Sequence, residues 1–82
     1  MTSSVKKVYG ALWCGDCRRS KTFLDLNGID YEWIDVDKDS NGNTRLLEIN
    51  EGLRIIPTIV FEDGSILREP SDSDLAAKIG IG

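Results

Sequence analysis

The stretch TIVFEDGSIL, residues 58 to 67, does more to decide the fold than any other part of the chain. Two runs rich in β-branched and apolar residues flank Asp63-Gly64, a pair that suits the turn of a β-hairpin. Pro57 comes directly before the first run, and because proline cannot lie inside a helix, it marks the start of the hairpin. The second half of the chain therefore predicts two antiparallel strands.

The chain before the hairpin predicts alternating strands and helices. Residues 5 to 12 contain a short, apolar and β-rich run, VYGAL, that predicts a first strand. In residues 31 to 37 (YEWIDVD), apolar and polar side chains alternate as in a second strand. Between them, residues 17 to 27 have a helical period, and Gly28 follows as a glycine that ends the helix. Because a helix joins the two strands, they should be parallel, with a right-handed crossover.

A second helix is predicted between the second strand and the hairpin. Either Asp39 or Ser40 can cap it, and its apolar positions recur at helical spacing: Leu46, Ile49 and Leu53.

A last short helix follows Pro70. Ser71 and Asp74 resemble a capping box, and Leu75 and Ile79 are expected to face inward. The predicted order is therefore β-α-β-α-β-β-α, an α/β fold in which a mixed four-stranded sheet carries helices on its faces.

Composition and charge narrow the class of protein. The 82 residues predict a single domain, residues 1 to 82, with the apolar content (40%) and charged content (29%) of a globular protein. A net charge of −4 argues against nucleic acid as a partner. No apolar run approaches the roughly 20 residues that span a bilayer, so no membrane role is expected. No secretory signal follows Met1, which predicts a cytoplasmic protein.

The chemistry of the chain lies in LWCGDCRRSK, residues 12 to 21. Cys14 falls where the first strand ends and the first helix begins, where free backbone N–H groups favour an anion such as a thiolate. Positive charge nearby, from Arg18, Arg19 and Lys21, should favour the thiolate form, whereas the negative carboxylate of Asp16 should disfavour it. Cys17 lies inside the helix and should be less exposed and less acidic, which suits a resolving thiol.

A cysteine pair can also bind a metal or form a structural disulfide. Four Cys or His ligands make a structural zinc site, and a chain with two cysteines and no histidine cannot supply them, so no metal is expected. A structural disulfide would close a very short loop in a compartment where such bonds are rare. A zinc ion or an iron–sulfur cluster shared across a dimer stays open, although a monomer is the default.

Three motifs in this order resemble the glutaredoxin family, and within it the actinobacterial mycoredoxins. They are WCGDC (residues 13 to 17), RIIPTIVFEDGSIL (54 to 67) and EPSDSDL (69 to 75), and the resemblance runs from about residue 5 to residue 79. It implies a thioredoxin-like fold and a thiol-exchange site. It also implies that Pro57 is cis and opposite Cys14, with the Ile56 backbone offering hydrogen bonds to the substrate.

Departures from the glutathione-using pattern are informative. Gly15 and Asp16 stand where such glutaredoxins have Pro-Tyr, and Glu-Pro-Ser-Asp (69 to 72) stands in their Gly-Gly region, which places Ser71 and Asp72 at the predicted site. The guanidinium of Arg54 could meet a substrate carboxylate. Trp13, directly before the first cysteine, is expected to face the substrate.

The resemblance implies an oxidoreductase that reduces mixed disulfides between proteins and a small thiol. Cys14 would attack and Cys17 would resolve. Mycothiol is the favoured small thiol, ahead of glutathione and bacillithiol, and no cofactor would be tightly bound. The partners would be that thiol and thiolated or disulfide-bonded proteins. Two alternatives stay open: a dithiol electron donor reduced by thioredoxin reductase, and a dimeric iron–sulfur module.

Overall fold

The computed structural model describes residues 4 to 81, so Met1, after which no secretory signal is predicted, lies outside the described residues. Its elements follow the predicted order: β1 (Val5–Gly10), α1 (Gly15–Leu26), β2 (Glu32–Asp35), α2 (Ser40–Ile49), β3 (Thr58–Phe61), β4 (Ile66–Arg68) and α3 (Asp72–Ile79).

The four strands form one mixed sheet in the order β2-β1-β3-β4. β1 is parallel to β2 and antiparallel to β3, and the hairpin pairs β3 with β4. Gly10 pairs with Asp35, and Tyr9 pairs with Thr58, which itself pairs with Arg68. The carboxyl ends of β1, β2 and β4 therefore meet the start of β3 at one end of the sheet, which we call the β1 carboxyl end.

Helices cover both faces of the sheet because neighbouring strand residues point to opposite sides. One face packs against α1 and α3 through a buried cluster of Val5, Val8, Leu24, Ile59, Phe61, Leu75 and Ile79. The other packs against α2 through Tyr9, Ile34, Val36 and Leu46. The inward positions predicted for α3 are thereby confirmed, and Trp33, on β2, is partly buried against the first cluster.

The observed ends of the first elements differ from the predicted ones by a few residues. β1 ends at Gly10 rather than at residue 12, β2 is four residues long, and α1 begins at Gly15 rather than at residue 17.

The prediction that the second helix extends to Leu53 is wrong. The helix ends at Ile49, and Leu53 is 62% exposed. Glu51 and Gly52 both have a positive φ, and the Gly52 N–H donates to the Leu47 carbonyl 2.7 Å away, which turns the chain out of the helix.

Local polar groups confirm the predicted caps and turn. Asp39 caps α2 and accepts a hydrogen bond from the Gly42 N–H. In the hairpin turn, Gly64 has a φ of 88°, a conformation that glycine adopts without strain.

The capping box at the start of α3 should contribute measurably to stability. The Ser71 hydroxyl accepts from the Asp74 N–H, and the Asp74 carboxylate accepts from the Ser71 N–H. We expect Ser71→Ala to lower the free energy of unfolding by about 1 kcal/mol, since it removes the cap. Ser73→Ala, at an exposed position in the same helix, is the control and should be neutral. Equal losses from both changes in urea unfolding would contradict this role.

Candidate active site

Cys14 is placed at the β1 carboxyl end of the sheet by the turn that leads from β1 into α1. It is the N-cap of α1, and its own N–H donates to the Ala11 carbonyl 3.2 Å away. The half-buried Cys14 Sγ accepts a hydrogen bond from the Cys17 N–H at 3.3 Å. A thiolate at this position would receive a backbone N–H and the positive end of the helix dipole.

Cys17 is fully buried beneath this thiol. Burial, together with the bond to the Cys14 side chain, raises the pKa of Cys17 to about 12, so its thiol stays neutral at physiological pH. The absence of a side chain at Gly10 makes room for it, because a Cβ there would lie 3.0 Å from the Cys17 Sγ and 2.8 Å from Trp33. The prediction that Cys17 is the less exposed thiol is confirmed.

Selective alkylation should separate the two thiols. At neutral pH we expect iodoacetamide to modify Cys14 and to leave Cys17 unmodified, because Cys17 is buried and its raised pKa keeps it protonated. Peptide mapping by mass spectrometry reads the result, and the protein unfolded in guanidinium, where both should react, is the control. Comparable labelling of both cysteines in the folded protein would contradict the assignment.

One flank of Cys14 is a hydrogen-bonded group that we call the Trp13 cluster: Trp13, Asp37, Asn43 and Arg54. Trp13 is 67% exposed, and its indole N–H donates a hydrogen bond to the Asp37 carboxylate. The Arg54 guanidinium pairs with the same carboxylate. The Arg54 Nε also donates to the Asn43 Oδ1 at 3.1 Å. Hydrogen bonds from Trp13 and Arg54 lower the pKa of Asp37 below its ordinary value.

Asp37, which links Trp13 to Arg54 in this cluster, is not predicted from the sequence. It follows β2, whose carboxyl end lies beside that of β1, and its neighbour Asp35 is paired with Gly10. The only available indication was that a run of acidic residues follows a strand parallel to the one that leads to the cysteines.

The other flank is organised by Arg19, which sequence reasoning had treated only as nearby positive charge. Its guanidinium pairs with Asp72 at 3.0 Å and with Asp16 at 3.5 Å, and it donates to the Pro70 carbonyl. Arg19 thus brings together two predicted site residues from distant parts of the chain. A groove of about 440 Å³ opens here, lined by Gly15, Arg18, Arg19, Thr22, Phe23, Leu26 and Asp72.

Pro57 lies at the same end of the sheet. The Ile56–Pro57 peptide bond is cis, as the resemblance implied, and Pro57 directly precedes Thr58, the partner of Tyr9 in β1. Pro57 is buried and its carbonyl accepts from the Glu69 N–H, whereas Ile56 is half-buried. The predicted site residue Ser71 lies at the start of α3, where its hydroxyl is engaged in the capping box.

Residues 4 to 81 hold no group of three or more Cys, His, Asp or Glu side chains arranged to bind a metal ion. None of its helices combines the length and the apolar character that crossing a bilayer requires.

A mixed four-stranded sheet, a cysteine pair at the start of α1 and a cis-proline before β3 define a thioredoxin-like protein. The crystal structure of a mutant of the thioredoxin-like protein BC3987 superposes with a TM-score of 0.81, at 32% identity over 93% of this chain and 95% of that one. The predicted fold class is confirmed.

The glutaredoxin family model matches residues 6–66, and this chain belongs to the glutaredoxin family. A Mycobacterium tuberculosis protein, provisionally named a glutaredoxin, is 35% identical over 79 residues, which cover 96% of this chain and 94% of that protein. Mycoredoxin 1 of Corynebacterium glutamicum is 36% identical over 72 residues, 88% of this chain and 89% of its own.

Family membership gives the general activity of the chain. It is a thiol–disulfide oxidoreductase that works with thiols and protein disulfides, uses a small thiol as co-substrate and needs no tightly bound cofactor.

Proposed function

We propose that this protein reduces mixed disulfides between proteins and a low-molecular-weight thiol, with Cys14 as the nucleophile and Cys17 as the resolving thiol. The observation that carries the proposal is the pairing of a half-buried thiol at the start of a helix with a buried, neutral thiol one turn later. Because Cys17 is buried and its thiol stays neutral, the attacking role falls to the more exposed Cys14, and Cys17 lies near enough to resolve the product.

The reaction balances without a bound cofactor. The Cys14 thiolate attacks the small-thiol sulfur of the mixed disulfide, an S–S bond forms between Cys14 and the small thiol, and the protein thiolate leaves and takes a proton from water. A second small thiol then attacks this adduct, regenerates Cys14 and leaves as a symmetrical disulfide. Alternatively, Cys17 gives up its proton and attacks Cys14, an intramolecular disulfide forms, and the small thiol leaves and takes up a proton. Two further small thiols then reduce the intramolecular disulfide and leave as a symmetrical disulfide.

Mycothiol is the small thiol that we favour, with glutathione and bacillithiol behind it. Similarity to a protein named Mycoredoxin 1 supports mycothiol. The sequence also argues against glutathione, because glutaredoxins that use it hold its γ-glutamyl end with a Gly-Gly stretch, and this chain has Glu-Pro-Ser-Asp at residues 69 to 72 instead.

The surroundings of Cys14 supply the remaining proposed roles. Trp13 would face the substrate from one flank and Gly15, with Asp16, from the other, while the Ile56 backbone beside cis-Pro57 would bond to the incoming disulfide. We further propose a single-domain, monomeric, cytoplasmic protein.

Parallel turnover assays test the proposal. A model mixed disulfide is supplied in three systems with NADPH: mycothiol with its reductase, glutathione with its reductase, and thioredoxin reductase alone. We expect turnover with mycothiol to exceed turnover in the other two. Turnover only with thioredoxin reductase would instead support the dithiol-donor alternative, in which the Cys14–Cys17 disulfide is reduced by a flavoprotein.

A further inference from the structure

We infer that Asp37, by occupying the Arg54 guanidinium, makes the site select small thiols that carry no carboxylate. The inference rests on the proposed function, since it concerns the small-thiol half of the mixed disulfide that Cys14 accepts. It replaces the expectation that Arg54 binds a substrate carboxylate with a specificity-determining role for the Asp37–Arg54 pair.

Contacts on several sides hold Asp37 against Arg54. One carboxylate oxygen pairs with the Arg54 Nη2, and the other accepts from the Trp13 indole. The Asp37 N–H donates to the Asp35 Oδ1 at 3.0 Å, which fixes the backbone that carries the carboxylate. Arg54 is held in turn by Asn43, through its Nε. The pair is therefore preorganised within the folded protein.

Arg19, on the other flank of Cys14, is occupied in the same way. Arg19 already pairs with Asp72 and Asp16, on the opposite flank of Cys14. A carboxylate that approached either arginine would have to displace an aspartate that the fold holds in place. Such an exchange replaces one ion pair with another and gains little free energy.

A carboxylate would also meet direct repulsion from Asp37. The bonds from Trp13 and Arg54 lower the pKa of Asp37, so the side chain is ionised at neutral pH. A neutral thiol with hydroxyl groups is treated differently, because a hydroxyl can donate to the Asp37 carboxylate or accept from Arg54 without breaking their pair. The Trp13 cluster is thus suited to an uncharged polar ligand.

The expected discrimination is modest because both side chains are 39% exposed. An ion pair at such a site, screened by solvent, supports about a three- to fivefold difference in rate constant between a neutral thiol and a carboxylate-bearing one. The difference should shrink as salt is added, since salt screens exposed charges.

A matched pair of probes tests the inference. One fluorescent peptide is linked by a disulfide to glutathione or to glutathione dimethyl ester, and the second-order rate constant for attack by reduced Cys14 is measured with each. The proteins compared are the wild type, Asp37→Asn, Asp37→Asn with Arg54→Gln, and Asp30→Asn. The last change removes the same charge from an exposed residue that precedes β2, at the other end of the sheet.

We expect the wild type to react faster with the ester and Asp37→Asn to close the gap by reacting faster with the glutathione probe. An asparagine can still accept from the Trp13 indole, so the change isolates the charge that holds Arg54. Adding Arg54→Gln should abolish the gain, and Asp30→Asn should leave the ratio of the two rate constants at its wild-type value. The inference is overturned if Asp37→Asn leaves that ratio unchanged or if Asp30→Asn changes it equally.

This test is separate from that of the proposed function. An unchanged ratio in Asp37→Asn, alongside turnover with a small thiol in the coupled assays, would overturn the inference alone. The expected ratios, alongside turnover only with thioredoxin reductase, would overturn the proposed function alone. No reaction of Cys14 with either probe would overturn both.

Discussion

Replacing Cys14 with serine is expected to abolish reduction of a mixed disulfide, whereas Cys17→Ser should keep most of the activity when a small thiol is the reductant. Loss of the attacking sulfur should lower kcat by at least about a thousandfold, the scale seen when a nucleophile is removed. Cys17 is dispensable in this reaction because a second small thiol can clear the adduct on Cys14. Steady-state turnover with mycothiol and its reductase measures both effects.

The comparison requires that both variants fold. Because Cys17 is fully buried, the far-UV circular dichroism and thermal unfolding of the Cys17→Ser variant are checked first. If the buried serine hydroxyl destabilises the core, Cys17→Ala serves as a second variant. Equal loss of activity in folded Cys14 and Cys17 variants would contradict the small-thiol route, because it would mean that every turnover passes through the intramolecular disulfide.

The largest effect on stability is expected from Leu24→Ala. Leu24 is 0% exposed and lies in the buried cluster shared by α1, α3 and the sheet. Its truncation should lower the free energy of unfolding by about 2–5 kcal/mol through lost apolar burial and a residual cavity. A domain of this size has only about 4–12 kcal/mol of stability, so the change should remove much of it.

Leu26→Ala is the matched control. It is the same substitution two residues further along α1, at a side chain that is 81% exposed, and it should change the free energy of unfolding by less than about 0.5 kcal/mol. Urea unfolding of the reduced protein measures both variants. Similar losses from the two changes would contradict the packing of α1 against the sheet.

The features that sequence could predict are those decided by a few neighbouring residues. The hairpin turn depends on two adjacent residues, Asp63 and Gly64, and the capping box depends on Ser71 and Asp74, three residues apart. The sequence therefore predicts both features correctly. The position of Cys14 at the start of α1 is predicted by the spacing of apolar residues, which changes there from that of a strand to that of a helix.

The end of α2 could not be predicted in this way. Leu53 fits the apolar period of the helix, but Glu51 adopts a positive φ of 55° and the chain turns before Leu53 is reached. A residue other than glycine rarely takes this conformation, so the sequence carries no local indication of it.

The hydrogen bonds and ion pairs beside Cys14 could not be predicted for a different reason. Asp37 acts by meeting Trp13 and Arg54, which lie 24 and 17 residues away along the chain. Arg19 likewise meets Asp72, 53 residues away. The sequence suggested that Trp13, Arg54 and Asp72 belong to one site, but the partner that holds each became visible only in three dimensions.

The most direct test of the account is to identify which half of a mixed disulfide Cys14 accepts. The reduced protein is mixed with a peptide–mycothiol disulfide, quenched with acid within the first turnover and analysed by mass spectrometry. We expect mycothiol bound to Cys14 and the peptide released as a free thiol. Peptide bound to Cys14, with mycothiol released, would contradict it, because Cys14 would then act on the protein half of the disulfide.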